Sequence, residues 1–174
     1  MATMNRDGLL ALYEYDAYAN RLVLDGLAQL SEDEFTRAPS PSRSTVRTLF
    51  LHSLLGEAWF LAACQGRKFD RADLPTLDDI RHFQSKLEKE QQAFIAALSE
   101  SDLARDVPFE MGEHPYHLPV WQLLTQAFLH ATQHRAELGI VLGQMGHPLP
   151  TMDIIVHFMH RSGQPWPPKM KRET

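Results

Sequence analysis

The stretch His130-Ala131-Thr132-Gln133-His134 holds the residues best suited to chemistry in this sequence. On a helix, two residues four apart lie about 40° apart round the axis and about 6 Å along it, so two imidazoles there can close on one cation. The same helical stripe carries Leu123, Gln126, Ala127, Glu137 and Val141, an apolar face interrupted only by groups that coordinate or hydrogen-bond. Both histidines are therefore expected to face the core. A buried imidazole needs partners for both nitrogens, and each unsatisfied group costs about 1–3 kcal/mol. One metal ion would serve both rings, and so would separate bonds to carbonyls or neighbouring side chains. The spacing alone leaves both readings open.

A third core-facing histidine, His52, shares a helical face with Leu49, Gly56, Trp59 and Ala63. Gly56, one turn on, either leaves room beside that imidazole or allows close helix packing, and packing is the preferred reading. Three neutral imidazoles with a fourth position left to water form the ligand set of a catalytic divalent-metal site. Such a site lowers the pKa of bound water to about 7 and holds a bound thiol as thiolate. Imidazole suits zinc, nickel, iron or copper alike. The main rival pair is His157 and His160, three apart on a last short helix, with His160 nearer the edge of its buried side. His82 reads as surface or boundary, and His114 with His117 as exposed loop residues.

These side chains must be carried by helices. Apolar residues recur at three and four from about Asn5 to Leu30, and Ser31-Glu32-Asp33-Glu34 reads as a capping box opening a short turn. Ala38 to Arg43, with Pro39 and Pro41, reads as a loop. Ser44 is the expected cap of a second helix, Thr45 to about Gln65, stopped by Gly66. Thr76 opens a third helix to about Leu98 with an apolar stripe of Ile80, Phe83, Leu87, Phe94, Ile95 and Leu98. Between Asp102 and Pro119 a short hairpin is expected, from the alternation of Val107, Phe109 and Met111. Pro119 then starts a fourth helix, Val120 to about Met145, ended by Gly146 and Pro148. A short helix from Met152 to Arg161, capped by Thr151 and burying Ile154, Ile155, Phe158 and Met159, completes the pattern. The expected fold is all-α, a four-helix bundle with one longer excursion before its last long helix. Residues 1–161 read as one domain and 162–174 as a Pro-rich basic tail docked by Trp166.

With 174 residues the chain can bury a full core without disulfides, and its single cysteine, Cys64, reads as a core residue near a helix end. A net charge of -5 lacks the basic footprint that nucleic-acid binding needs. No apolar run approaches the roughly 18–20 residues that span a bilayer, so no membrane partner is expected. The first residues carry no basic leader followed by an apolar core, and a cytoplasmic location is expected.

The chain resembles the DinB/YfiT family of four-helix-bundle metalloenzymes. Tyr15-Asp16-Ala17-Tyr18-Ala19-Asn20-Arg21-Leu22 is similar to the family's aromatic-Ala-Asn opening, and Leu49-Phe50-Leu51-His52 to its second-helix histidine motif. Leu129-His130-Ala131-Thr132-Gln133-His134-Arg135-Ala136-Glu137 follows its His-xxx-His-Arg pattern. The resemblance implies a metal held by His52, His130 and His134, zinc or nickel foremost, a homodimer, and S-transfer using a low-molecular-weight thiol. Glu137 departs from the Gln frequent in relatives and is expected to orient a ligand or form an ion pair, with a role as general base the alternative. Tyr13, Trp59 and Gln126 are the expected lining of a pocket for a small-molecule electrophile. A metal-dependent hydrolase using water alone, or a non-catalytic metal- or ligand-binding dimer, are the other function classes.

Overall fold

A computed structural model describes residues 4–37, 40, 41, 43 and 45–164. Asn5 caps α1 (Arg6–Leu27), its side chain accepting the Gly8 N–H at 2.8 Å. Leu149 ends the usefulness of Gly26 as an ordinary helix position: a Cβ on Gly26 would meet Leu149 Cδ2 at 2.3 Å. The Ser31/Glu34 box opens a six-residue helix, α2 (Glu32–Arg37), where a turn was expected. The expected cap Ser44 lies outside the described residues, and the cap of α3 (Val46–Cys64) is Thr45, which accepts the Thr48 N–H at 2.9 Å.

Nearly every face of α3 is buried, because it packs against α6, α4, α2 and the hairpin and has no solvent side to spend on charge. It ends where expected. Gly66 adopts φ 67°, and the Arg67 N–H closes back on the Ala62 carbonyl at 2.9 Å, a left-handed stop that costs glycine little.

Thr76 and Asp79 form a reciprocal capping box at the start of α4 (Leu77–Ala97). Its buried line runs Ile80, Gln84, Leu87, Gln91, Ile95, so Phe83 and Phe94 lie to its side and two glutamines take inward positions that the apolar pattern had not assigned to them. A second box, Ser99 with Asp102, opens the unexpected four-residue α5 (Glu100–Leu103). The hairpin forms as β1 (Asp106–Met111) and β2 (His114–Pro119), antiparallel, with Val107 opposite Leu118 and Phe109 opposite Tyr116.

Pro119 precedes α6 (Val120–Gln144), which Gly146 stops at φ 89°. The last helix, α7 (Ile154–Arg161), is capped by Asp153 and not Thr151. It buries Val156 and His157 and leaves Ile155 and Phe158 exposed, the reverse of the expected face. The ring of His157 packs on Tyr18 at 5.0 Å, so α1 claims the polar residue of that helix. Trp166, expected to dock the tail, lies outside the described residues.

The four long helices contact one another in a ring, α1 with α4, α4 with α3, α3 with α6 and α6 with α1. Buried polar side chains run through its middle. Arg135 Nη1 donates to Asp16 Oδ1 at 2.6 Å and to Asn20 Oδ1 at 2.7 Å, Asn20 Nδ2 donates to Glu57 Oε1 at 3.0 Å, and Gln91 Nε2 donates to Glu57 Oε2 at 3.1 Å. Each long helix thus supplies at least one member of a network whose charges are paired where water is absent. No helix among the described residues is long and apolar enough to cross a membrane.

Candidate metal centre

α3 and α6 run antiparallel. Cys64, at the end of α3, lies at the start of α6 with Sγ 3.9 Å from the Val120 carbonyl, while Gly56 meets His130 and His52 meets His134. That register brings the histidine of one helix onto the histidine pair of the other. Ring centroids are 5.0 Å apart for His52 and His130, 4.8 Å for His52 and His134, and 4.5 Å for His130 and His134. One nitrogen from each ring lies within 4.8 Å of the other two, a grouping that could hold a metal ion.

The nitrogens have defined partners. His134 Nδ1 lies 3.3 Å from Glu137 Oε2, and a carboxylate can only accept, so the ring proton sits on Nδ1 and Nε2 offers its lone pair. That Nε2 faces His130 Nε2 at 3.2 Å. Two facing ring nitrogens need either a proton or a cation between them. Arg43 Nη2 donates to His52 Nε2 at 2.8 Å, which places the His52 proton on Nδ1.

Burial, the Arg43 charge and the two neighbouring imidazoles push His52 down to about 4, and burial with His134 and Arg43 lowers His130. His52 and His130 are therefore neutral near pH 7, the form that ligates.

Two further observations test the fit of a divalent cation. Among the described residues neither nitrogen of His130 is tied to a carbonyl or carboxylate, Nδ1 having no hydrogen-bond partner and Nε2 facing only His134, which leaves the ring able to ligate. A Cβ at Gly56 would lie 3.1 Å from His130 Cε1 and 3.2 Å from Nδ1, and nothing else comes within 4 Å. Gly56 therefore makes room for an imidazole, not for a neighbouring backbone, which corrects the packing role expected for it. Three imidazoles, a carboxylate behind one of them and a cradle for another suit a nitrogen-preferring divalent ion.

Other expected site residues are placed unevenly. Trp59, half-buried, stands one turn beyond Gly56 on α3, with its ring 5.9 Å from Phe109 of the hairpin. It walls a groove of 660 Å³ with Ala63, Phe109, Tyr116, Arg67 and Lys68. Gln126 is exposed on α6, one turn before His130, so that stripe leaves the core at this level. Tyr13 is not brought to the cluster. Its hydroxyl donates to the Glu88 carbonyl of α4 at 2.8 Å, and burial, followed by the Glu88 charge, pushes it up to about 12.

Of the rival pair, His160 is exposed and His157 buried, so they do not converge. Arg43 is the residue at the cluster that sequence reasoning missed. It lies in a proline-rich stretch with no helical periodicity to aim it. For the buried network a signal existed, a lone Glu57 in the otherwise apolar run Ser53 to Cys64.

Three comparisons with known proteins bear on these features. A model of the DinB family matches residues 1–166. A crystal structure of a DinB-like protein, YjoA from Bacillus subtilis, superposes with a TM-score of 0.60 at 16% identity, covering 82% of this chain and 97% of that one. No curated protein matches the sequence.

Proposed function

Because the chain belongs to the DinB family, we propose that His52, His130 and His134 hold a divalent cation, zinc or nickel, and that the protein is a thiol-dependent S-transferase acting on a small electrophile. The observation that carries the reading is the convergence of three imidazoles, two of them facing nitrogen to nitrogen at 3.2 Å. A divalent ion held there would lower the pKa of a thiol or water beside it, supplying a nucleophile at neutral pH.

The chain's own residues supply the rest. Glu137 accepts the His134 Nδ1 proton and so aims that ring, which supports an orienting role ahead of a general base. Trp59 lies one turn beyond Gly56 on α3 and the exposed Gln126 one turn before His130 on α6, and the groove beside Trp59 offers aromatic walls to an electrophile. Tyr13, with its hydroxyl committed to α4, is left to packing in this reading.

The ring of four long helices supports a four-helix bundle spanning residues 1–161 as one domain, with 162–174 a tail. A cytoplasmic homodimer is part of the same family reading. Metal content per chain, measured by plasma mass spectrometry on protein purified without chelator, tests the core of it. Near-stoichiometric zinc or nickel is expected in wild type and loss of it in a His52, His130, His134 triple alanine variant, with His160→Ala unaffected. Equal metal in wild type and the triple variant overturns the site. Turnover of an electrophile that persists without added thiol turns the reading to a hydrolase, and metal retained with no turnover to a binding protein.

A further inference from the structure

Arg43 reaches the histidine cluster from the chain that leads into α3. Its backbone is held by one side chain: Ser40 Oγ accepts the Arg43 N–H at 2.7 Å and donates to the Arg43 carbonyl. From that anchor Nη2 donates to His52 Nε2 at 2.8 Å. A guanidinium has donors only, so this contact uses the lone pair that a cation would need. Arg43 and a cation compete for one nitrogen.

Among the described residues no carboxylate forms an ion pair with Arg43, and its Nε is buried with no acceptor. A dication added to the three imidazoles beside Arg43 concentrates positive charge in a half-buried site, and the carboxylate of Glu137 stands behind His134. Such a field favours an anionic guest, and a planar fork of N–H donors matches a carboxylate in bidentate fashion.

Given that the three histidines hold a cation, as proposed above, we propose that Arg43 is the anion-binding residue of this site. It covers His52 Nε2 in the cation-free protein, and once that lone pair is taken its released donors hold the carboxylate of a small organic substrate. The substrate class is thereby narrowed to molecules that bring a carboxylate close to the reacting centre.

Cobalt(II), whose visible absorption reports its ligands, is titrated into metal-free wild type, Arg43→Ala and Arg43→Lys, and acetate is then titrated into each cobalt form. Arg43→Ala is expected to bind cobalt about tenfold more tightly, because a competing charged donor is gone, and acetate about tenfold more weakly. Arg43→Lys keeps a cation on the same backbone, recovers part of the acetate affinity, and carries the test should the alanine variant fail to fold.

A comparison of mercaptoacetate with 2-mercaptoethanol locates the carboxylate. An advantage for mercaptoacetate that disappears in Arg43→Ala assigns it to the thiol, and equal binding of the two thiols assigns it to the electrophile. Cobalt and acetate affinities unchanged in Arg43→Ala overturn the role of Arg43 while leaving the histidine site standing. Absence of cobalt binding in wild type overturns the site itself.

Discussion

A single methyl group separates the requirements of folding from those of the site at Gly56. Glycine inside a helix costs about 0.5–1 kcal/mol relative to alanine, and this one sits in the middle of α3. It is explained by His130, whose ring an added Cβ would meet at 3.1 Å. Gly56→Ala is therefore expected to leave the melting temperature unchanged or raised while weakening zinc binding about tenfold, as the imidazole gives way. Calorimetric melting of the metal-free variant beside a zinc titration checks both signs. A variant that melts lower yet binds zinc as wild type does would return Gly56 to a packing role. The sequence favours packing for Gly56 and offers room beside His52 only as the alternative, because helical periodicity orients a residue on its own helix and says nothing of the partner's register, which brings His130 there.

Four helices meet at Arg135, and the energetics of that meeting belong to elements more than to residues. The guanidinium is 1% exposed and bonded to Asp16 and Asn20 of α1, while Glu57 of α3 takes hydrogen bonds from α1 and α4. Burial and the adjacent Asp16 carboxylate hold the Glu57 carboxyl well above its ordinary value of 4.5, so the folded state favours its protonated form. Stability from that proton is full below the ordinary value and is lost as pH rises through the folded one, because the folded state then binds more protons than the unfolded chain.

Glu57→Gln mimics the protonated acid and removes this dependence. It is expected to gain stability over wild type as pH is raised from about 5 to 9. Arg135→Met, by contrast, strands the Asp16 charge and should cost about 3–5 kcal/mol. Urea unfolding midpoints across that pH range measure both, and a difference between Glu57→Gln and wild type that stays flat with pH would sink the shared-proton account. The helices themselves were legible from periodicity and caps: Thr76, Gly66 and Gly146 mark their boundaries in the sequence and act there in the structure. The faces of α4 and α7 were not, since Gln91 and His157 take inward positions through partners on other helices, and Gln84 is buried beside Glu88 of its own helix.

At the scale of the whole molecule, α6 and α7 expose large apolar side chains among the described residues. Leu129 and Ile140 are 57% and 59% exposed, and Ile155 and Phe158 of α7 are 49% and 42% exposed. A largely apolar groove of 440 Å³ between α1, α6 and the start of α7 includes Leu129 in its lining. Exposed apolar surface of this kind marks an interaction site, and the proposed homodimer would cover it. Light scattering is expected to give twice the 19.9 kDa chain mass, and Leu129→Glu with Phe158→Glu to halve it. Wild type running at the chain mass would remove the homodimer from the reading.

The helical class, the helix ends and the three histidines were determined by sequence alone, because local periodicity, caps and residue chemistry are written in consecutive residues. Tertiary structure decided what those residues meet. The antiparallel register of α3 on α6 set His52 against His130 and His134 and Gly56 under a ring, the packing of α1 on α4 took up Tyr13, and the segment before α3 set the Arg43 guanidinium on His52. Each of these is a contact between residues distant in sequence or carried by an irregular segment, and such contacts depend on the packing of whole helices, which no local pattern encodes.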